Sequence, residues 1–87
     1  MQQPILPFWF VQRQAKLEPA GDNTFKAVAP NQGEAYLLIR KGDNQRWSAA
    51  VRLTADGNDV ASTPPQFVTP GQAWEAAFEL YRQLAIV

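Results

Sequence analysis

The residues of this sequence that could do chemistry are positively charged and aromatic, because the usual catalytic side chains are few. The 87 residues include no histidine and no cysteine. The sequence therefore lacks the commonest general base near neutral pH, thiolate nucleophiles and the usual zinc ligands. Its serines have no histidine to activate them. We expect no enzymatic activity, no metal and no cofactor, and we look for a binding function.

Cations and aromatic residues alternate with other residues along several short segments, and a strand would place them on one face. Successive side chains of a strand point to opposite sides of its sheet. Cations interleaved with rings suit single-stranded nucleic acid, since bases stack on the rings and Lys or Arg follow the phosphates. The candidate binding residues are Lys16, Lys26, Arg40, Arg46 and Arg52, with Phe8, Phe10, Tyr36 and Leu38.

Acidic residues are predicted to lie away from this face, in turns, at strand ends and on a helix. Eight Lys or Arg balance eight Asp or Glu, which argues against bulk attraction to nucleic acid. The candidate face would thus be basic within a neutral chain. The hairpin around Gly42 is expected to place Arg40 opposite Arg46, a repulsive pair that a bound anion or a partner's carboxylate would relieve.

Three interpretations of the candidate face stay open. The first is an ordinary solvated surface, because Lys and Arg are common on solvent-facing strands and protect sheet edges. The second is a protein interface, most simply a homodimer or else a contact with a foreign protein, since the apolar content exceeds what a solvated face needs. The third is binding of single-stranded or duplex nucleic acid. We expect a protein-binding module that self-associates, with nucleic-acid binding as the alternative.

The elements that position these residues are predicted to be short antiparallel strands separated by turn residues. Residues 8–17 are predicted as a first strand, although their apolar spacing also fits a helix. The Asp56-Gly57 pair predicts a hairpin that sets Leu53 opposite Val60. The remaining predicted strands, which alternate between apolar and polar residues, are 24–29, 34–41 and 46–54.

The C-terminal segment is predicted to be a helix over residues 69–86. Thr69 and Gln72 form a capping-box pattern, and Pro70 suits the first helical position. The fold class is therefore α+β, a four- or five-stranded antiparallel meander with one C-terminal helix packed on one face. The chain is predicted to be a single domain, with an N-terminal arm at 1–7 and a sheet within 8–63.

The inner face of such a sheet needs more cover than one helix provides. Five strands span about 19 Å between their outer axes, and one helix covers about 10 Å of that width. The rest must be covered by the N-terminal segment with Ile5 and Leu6, or by a second subunit.

The second half of the chain resembles a known class of DNA-binding module. The pattern Trp47-x-Ala49-x-Val51-x-Leu53, the Asp56-Gly57 turn and the alanine-rich helix carry the resemblance. Over residues 35–84 the chain resembles small modules of three strands followed by a helix, among them the arm-type DNA-binding domains of tyrosine recombinases. The resemblance implies a sheet face that meets DNA, but such domains are usually basic and this chain is neutral.

The cellular location is predicted from the absence of targeting patterns. The N-terminal residues lack a charged region, and the apolar run from Ile5 to Val11 is short and interrupted by Pro7. This pattern fits neither a signal peptide nor a membrane span. We therefore expect a cytoplasmic protein with no membrane partner.

Overall fold

A five-stranded antiparallel sheet with two helices on one of its faces makes up the fold in the computed structural model, which describes residues 5–30, 33–54 and 57–85. The α+β prediction is confirmed, with five strands that follow one another across the sheet in chain order. The elements are α1 (Phe8–Gln12), β1 (Lys16–Gly21), β2 (Thr24–Ala29), β3 (Gly33–Lys41), β4 (Trp47–Arg52), β5 (Asp59–Ser62) and α2 (Pro70–Ala85).

The inner face of the sheet, on the side of α2, carries the residues that the alternating pattern predicted to be buried. Small side chains at Ala27, Ala35 and Ala49 leave room for the large rings of Trp74 and Phe78 from α2. Large residues packed against small ones let a helix approach a sheet closely. Most inward-facing residues of β2, β3 and β4 are buried, and Trp47 at the start of β4 is half-buried. The buried ones are Phe25, Ala27, Ala29, Ala35, Leu37, Ile39, Ala49 and Val51.

Helix α2 begins with the predicted capping box. The Gln72 N–H donates to Thr69 Oγ1 at 3.2 Å, and the Val68 N–H donates to Gln72 Oε1 at 3.0 Å. The first bond satisfies an amide group of the first helical turn. The second is a variant of the capping box, because Gln72 reaches the Val68 N–H instead of the Thr69 N–H. The helix ends at Ala85, and the last residue of the predicted range, residue 86, lies outside the described residues.

The prediction of a strand over residues 8–17 is wrong, because residues 8–12 form α1. The fully buried ring of Phe10 packs edge-on against Phe78, with centroids 5.2 Å apart, and against Tyr81 at 6.0 Å. A Schellman-type end stops the helix: Gln14 has a φ of 59°, and the Ala15 N–H donates to the Phe10 carbonyl at 3.2 Å. Strand β1 therefore begins only at Lys16.

The N-terminal segment lies on the same side of the sheet as α2 and completes the inner layer. Leu6 and Trp9 pack against the buried core, and Phe10 belongs to it. This agrees with the expectation that the N-terminal segment covers part of the inner face through Leu6, whereas Ile5, expected to do the same, is 95% exposed.

The hairpin between β3 and β4 has a different register from the predicted one. Arg40 lies opposite Ser48, not opposite Arg46. The reason is a longer turn, in which the Gln45 N–H donates to the Gly42 carbonyl at 3.1 Å and Gln45 adopts a φ of 66°. Both registers keep Arg40 on the same face of the sheet. The face of each β3 and β4 residue was therefore predicted correctly, but its partner on the neighbouring strand was not.

The hairpin between β4 and β5 is also displaced from its predicted register. Val51 lies opposite Ala61, and an irregularity follows it, so that Arg52 pairs with Asp59. Leu53 and Val60, predicted to pair inside the core, are both exposed. The displacement agrees with the three hydrogen bonds that Asp59 accepts from Arg40 and Arg52 on the opposite face of the sheet from α2. Residue 56 of the predicted turn lies outside the described residues.

The two phenylalanines of α1 provide a matched test of the helix. We expect Phe10→Ala to lower the free energy of unfolding by about 3 to 5 kcal/mol, because the ring is fully buried. Phe8→Ala should change it by about 0.5 kcal/mol or less, because Phe8 is 76% exposed. Urea denaturation of each variant measures both changes. A strand would place both rings on one face, so equal losses would contradict the helix.

The hydroxyl of Tyr81 is buried and has no hydrogen-bond partner among the described residues. Burial also raises the pKa of this phenol. We expect Tyr81→Phe to raise the free energy of unfolding by about 1 kcal/mol, because the variant no longer buries an unsatisfied polar group. Urea denaturation measures the effect, with Tyr36→Phe on the other face of the sheet as the control that should change little. A clear loss of stability in Tyr81→Phe would show that the hydroxyl has a partner.

Candidate functional site

The face of the sheet away from α2, here called the outer face, holds most of the predicted binding residues. Lys26 lies opposite Tyr36, and Tyr36 lies opposite Arg52, so these three residues form a row across β2, β3 and β4. Leu38 and Arg40 follow along β3, and Lys16 on β1 pairs with Val28. Arg46 is exposed in the turn before β4.

Besides Arg46 in its turn, two predicted binding residues lie on α1 and not on the outer face. Phe10 is wholly buried in the core, so its assignment to the outer face is wrong. Phe8 is exposed, but it lies on α1 and not on a strand. Both errors follow from the helical conformation of residues 8–12, which removes the alternation that a strand would impose.

Carboxylates pair with three of the five predicted cations, namely Lys26, Arg40 and Arg52, contrary to the predicted separation of charge. Arg52 Nε donates to Asp59 Oδ1 at 2.8 Å, and Arg40 Nη1 donates to Asp59 Oδ2 at 3.1 Å. The two guanidinium groups hold the pKa of Asp59 below its usual value. Lys26 Nζ lies 3.3 Å from Glu34 Oε1, and Glu18 lies opposite Lys26 on β1. This face therefore carries both signs of charge.

The apolar residues of the outer face are less available than the sequence suggested. Leu38 is only 6% exposed and Ala50, directly opposite it, is also buried. Side chains of the same chain thus cover the centre of this face. Tyr36 is half-buried, and its ring is the main accessible aromatic group on the outer face.

A second feature, a groove on the helix side of the molecule, was not predicted. Its volume is about 720 Å³, and it lies between the N-terminal segment, the first half of α2 and one end of the sheet. All three tryptophans of the chain, Trp9, Trp47 and Trp74, line it. The other lining residues are Ile5, Leu6, Pro7, Asn23, Ile39, Pro70, Gly71, Glu75, Phe78 and Glu79. We call this feature the tryptophan groove.

Each tryptophan of the groove is fixed by a separate packing or backbone contact. Trp9 stacks on Tyr81 with centroids 6.2 Å apart, and Trp74 packs edge-on against Phe25 at 5.4 Å. The backbone of Trp47 pairs with Phe67: the Trp47 N–H donates to the Phe67 carbonyl at 2.7 Å. The walls of the groove are therefore preorganised, which lowers the entropy cost of binding.

The charged groups that line the tryptophan groove are both carboxylates. Glu75 and Glu79 lie one turn apart on α2, and no Lys or Arg is among the lining residues. Glu79 accepts two hydrogen bonds from Arg82, at 2.7 and 3.0 Å, which lower its pKa. Glu75 forms no ion pair within the described part of the chain. The groove is thus apolar, with negative charge on the α2 side.

The sequence contained only an indirect signal for the groove. Trp9, Trp47 and Trp74 were each predicted to face the core; Trp74 does so, whereas Trp9 and Trp47 are half-buried at its border. Tryptophan is large and seldom fully buried, so three such residues in a small domain indicate a surface where some rings reach solvent. Their convergence depends on tertiary packing that no local pattern reveals.

Comparisons with known proteins supply no family for this chain: no family model, no curated protein and no solved structure matches it. The resemblance to arm-type DNA-binding domains therefore stays a prediction.

Metal-ligand clusters and membrane-spanning helices are the next features to consider. Among residues 5–30, 33–54 and 57–85, there is no group of three or more acidic, histidine or cysteine side chains arranged to hold a metal ion. Within the same residues, neither helix is long and apolar enough to span a bilayer. The absence of a cofactor and the cytoplasmic location stay predictions.

The ion pairs of Asp59 predict a pH-dependent contribution to stability. We expect Asp59→Asn to lower the free energy of unfolding by about 1 kcal/mol at pH 7, because Arg40 and Arg52 lose their shared carboxylate. The folded-state pKa of Asp59 lies below its unfolded value, so the contribution is complete well above pH 4 and disappears as the pH falls below it.

Urea denaturation at pH 7 and pH 3 checks this expectation. The difference between the original protein and Asp59→Asn should be clear at pH 7 and smaller at pH 3. Asp43→Asn is the control, since Asp43 is exposed and forms no ion pair among the described residues. A difference that is the same at both pH values would contradict the assigned ion pairs.

Proposed function

We propose that this protein is a small non-catalytic module that binds another protein through the tryptophan groove. The observation that supports the proposal is the convergence of all three tryptophans on one open groove of about 720 Å³. Tryptophan is enriched at the energetic centres of protein interfaces, where its ring enters a desolvated pocket. An apolar concavity with a few polar groups is also the usual form of a binding site.

The N-terminal segment that forms one wall of the groove also carries exposed apolar residues. Ile5, which lines the groove, is 95% exposed, and Phe8 and Val11 are also largely exposed. Solvent rarely surrounds so many large apolar side chains within seven consecutive residues unless they contact something. A protein segment bound in the groove would cover Ile5.

The outer face gives less support to a homodimer interface or to a nucleic-acid site. Self-association through that face would use apolar residues, and Leu38 and Ala50 are already buried within one chain. Nucleic-acid binding would use its cations, and Asp59 and Glu34 already pair with Arg40, Arg52 and Lys26. Homodimerisation, nucleic-acid binding and a foreign partner on the outer face remain proposals, with less support than the groove.

A substitution at Gly71 tests the groove. Gly71 lines it, and a Cβ atom built there meets only Thr69 Oγ1, at an ordinary 3.9 Å. We expect Gly71→Phe to leave the fold intact and to occupy part of the groove. Gly71→Ala is the matched control, which should leave the groove open and stabilise α2 slightly.

The binding experiment uses peptides selected from a random displayed library on the immobilised original protein. We expect their affinity to fall about tenfold or more in Gly71→Phe, because the added ring displaces contacts at the centre of the site. Gly71→Ala and the outer-face variant Tyr36→Ala should bind them as the original protein does. Titration calorimetry measures the affinities.

The opposite pattern would contradict the proposed function. Peptides that bind Gly71→Phe normally and lose affinity for Tyr36→Ala would locate the site on the outer face. A mixed-sequence oligonucleotide serves as the second probe, at low and high salt. Binding that weakens steeply with salt would favour the nucleic-acid alternative, since phosphate contacts release counterions.

A further inference from the structure

We infer that the tryptophan groove takes a segment of the partner protein in which apolar residues flank a single arginine or lysine. This inference rests on the proposed function and adds the chemistry of the ligand. The apolar lining selects apolar side chains, and the charged lining residues, Glu75 and Glu79, select the cation.

The carboxylate best placed to receive a ligand cation is that of Glu75. Glu79, one turn later, already accepts two hydrogen bonds from Arg82. Glu75 forms no ion pair with any described residue, and it is exposed at the side of the groove. A cation from the partner would supply the ion pair that Glu75 does not form with the described residues.

The indole rings of the groove favour the same ligand. A guanidinium or ammonium group is attracted to the face of an aromatic ring, and tryptophan is the strongest such acceptor. Trp9 and Trp47, which are half-buried, line the groove together with Glu75, so accessible rings and a carboxylate occur in the same lining. Arginine suits this combination better than lysine, because its planar group stacks on rings and bonds a carboxylate with two donors.

The N-terminus of α2, which also borders the groove, does not reverse this preference. A helix start carries about half a positive charge and attracts anions. Here Pro70 has no N–H, and the Gln72 and Ala73 N–H groups already donate to the side chain and the carbonyl of Thr69. The full charge of Glu75, in the second turn, outweighs this partial charge. An acidic ligand would meet repulsion.

The test uses three capped heptapeptides with no tryptophan of their own. The first has the sequence Ser-Leu-Ala-Arg-Ala-Leu-Ser, the second has citrulline in place of arginine, and the third has glutamate. Citrulline keeps the shape of the side chain and removes its charge. Because all three tryptophans of the protein line the groove, their fluorescence reports occupancy directly.

We expect the arginine peptide to bind about five- to thirtyfold more tightly than the citrulline peptide. The glutamate peptide should bind most weakly. In Glu75→Gln the preference for arginine over citrulline should fall to about threefold or less, with binding of the citrulline peptide retained. Asp43→Asn is the control, because it removes one negative charge elsewhere and should leave the preference unchanged.

The outcomes separate this inference from the proposed function. Equal binding of the arginine and citrulline peptides would overturn the inference and leave the groove as a site for apolar segments. A preference that persists undiminished in Glu75→Gln would also overturn it. If no peptide changes the fluorescence, and the displayed library yields none that depends on Gly71, both the inference and the proposed function are wrong.

Discussion

The packing of Phe10 against Phe78 and Tyr81 joins the two ends of the chain above one face of the sheet. This contact holds the N-terminal segment beside α2, and that segment forms one wall of the tryptophan groove. The sheet permits the contact because its inner face is built from small residues such as Ala27 and Ala35. The groove therefore depends on a core interaction that lies outside it.

Elements in which apolar residues recur at a regular spacing could be predicted from the sequence. Alternation identified β2, β3 and β4 with their inner faces, and the Thr69–Gln72 capping pattern identified the start of α2. Residues 8–17 could not be assigned, because a short apolar segment fits a strand and a helix equally well and only the contact with α2 decides. The hairpin partners were missed because one turn contains Gln45 in a left-handed conformation and β5 pairs irregularly with β4.

The candidate site illustrates a different limit. Strand alternation correctly brought Lys26, Tyr36 and Arg52 together, but it did not show that Asp59 would reach the same face from the last strand. The groove is built from segments that are far apart in the chain, and each of its tryptophans resembles an ordinary core residue when considered alone. Local patterns predict which face a residue occupies. They do not predict which distant residues neutralise it or border the same cavity.

The order of the elements along the chain has a consequence for synthesis on the ribosome. The strands pair with their sequence neighbours, so the sheet can assemble progressively as the chain emerges. Its apolar inner face, however, stays without α2 until residues 70–85 have left the exit tunnel. During that interval Phe10 has neither Phe78 nor Tyr81 to pack against, and the partly made chain exposes core surface of the kind that chaperones bind. Folding is completed only when the last helix arrives.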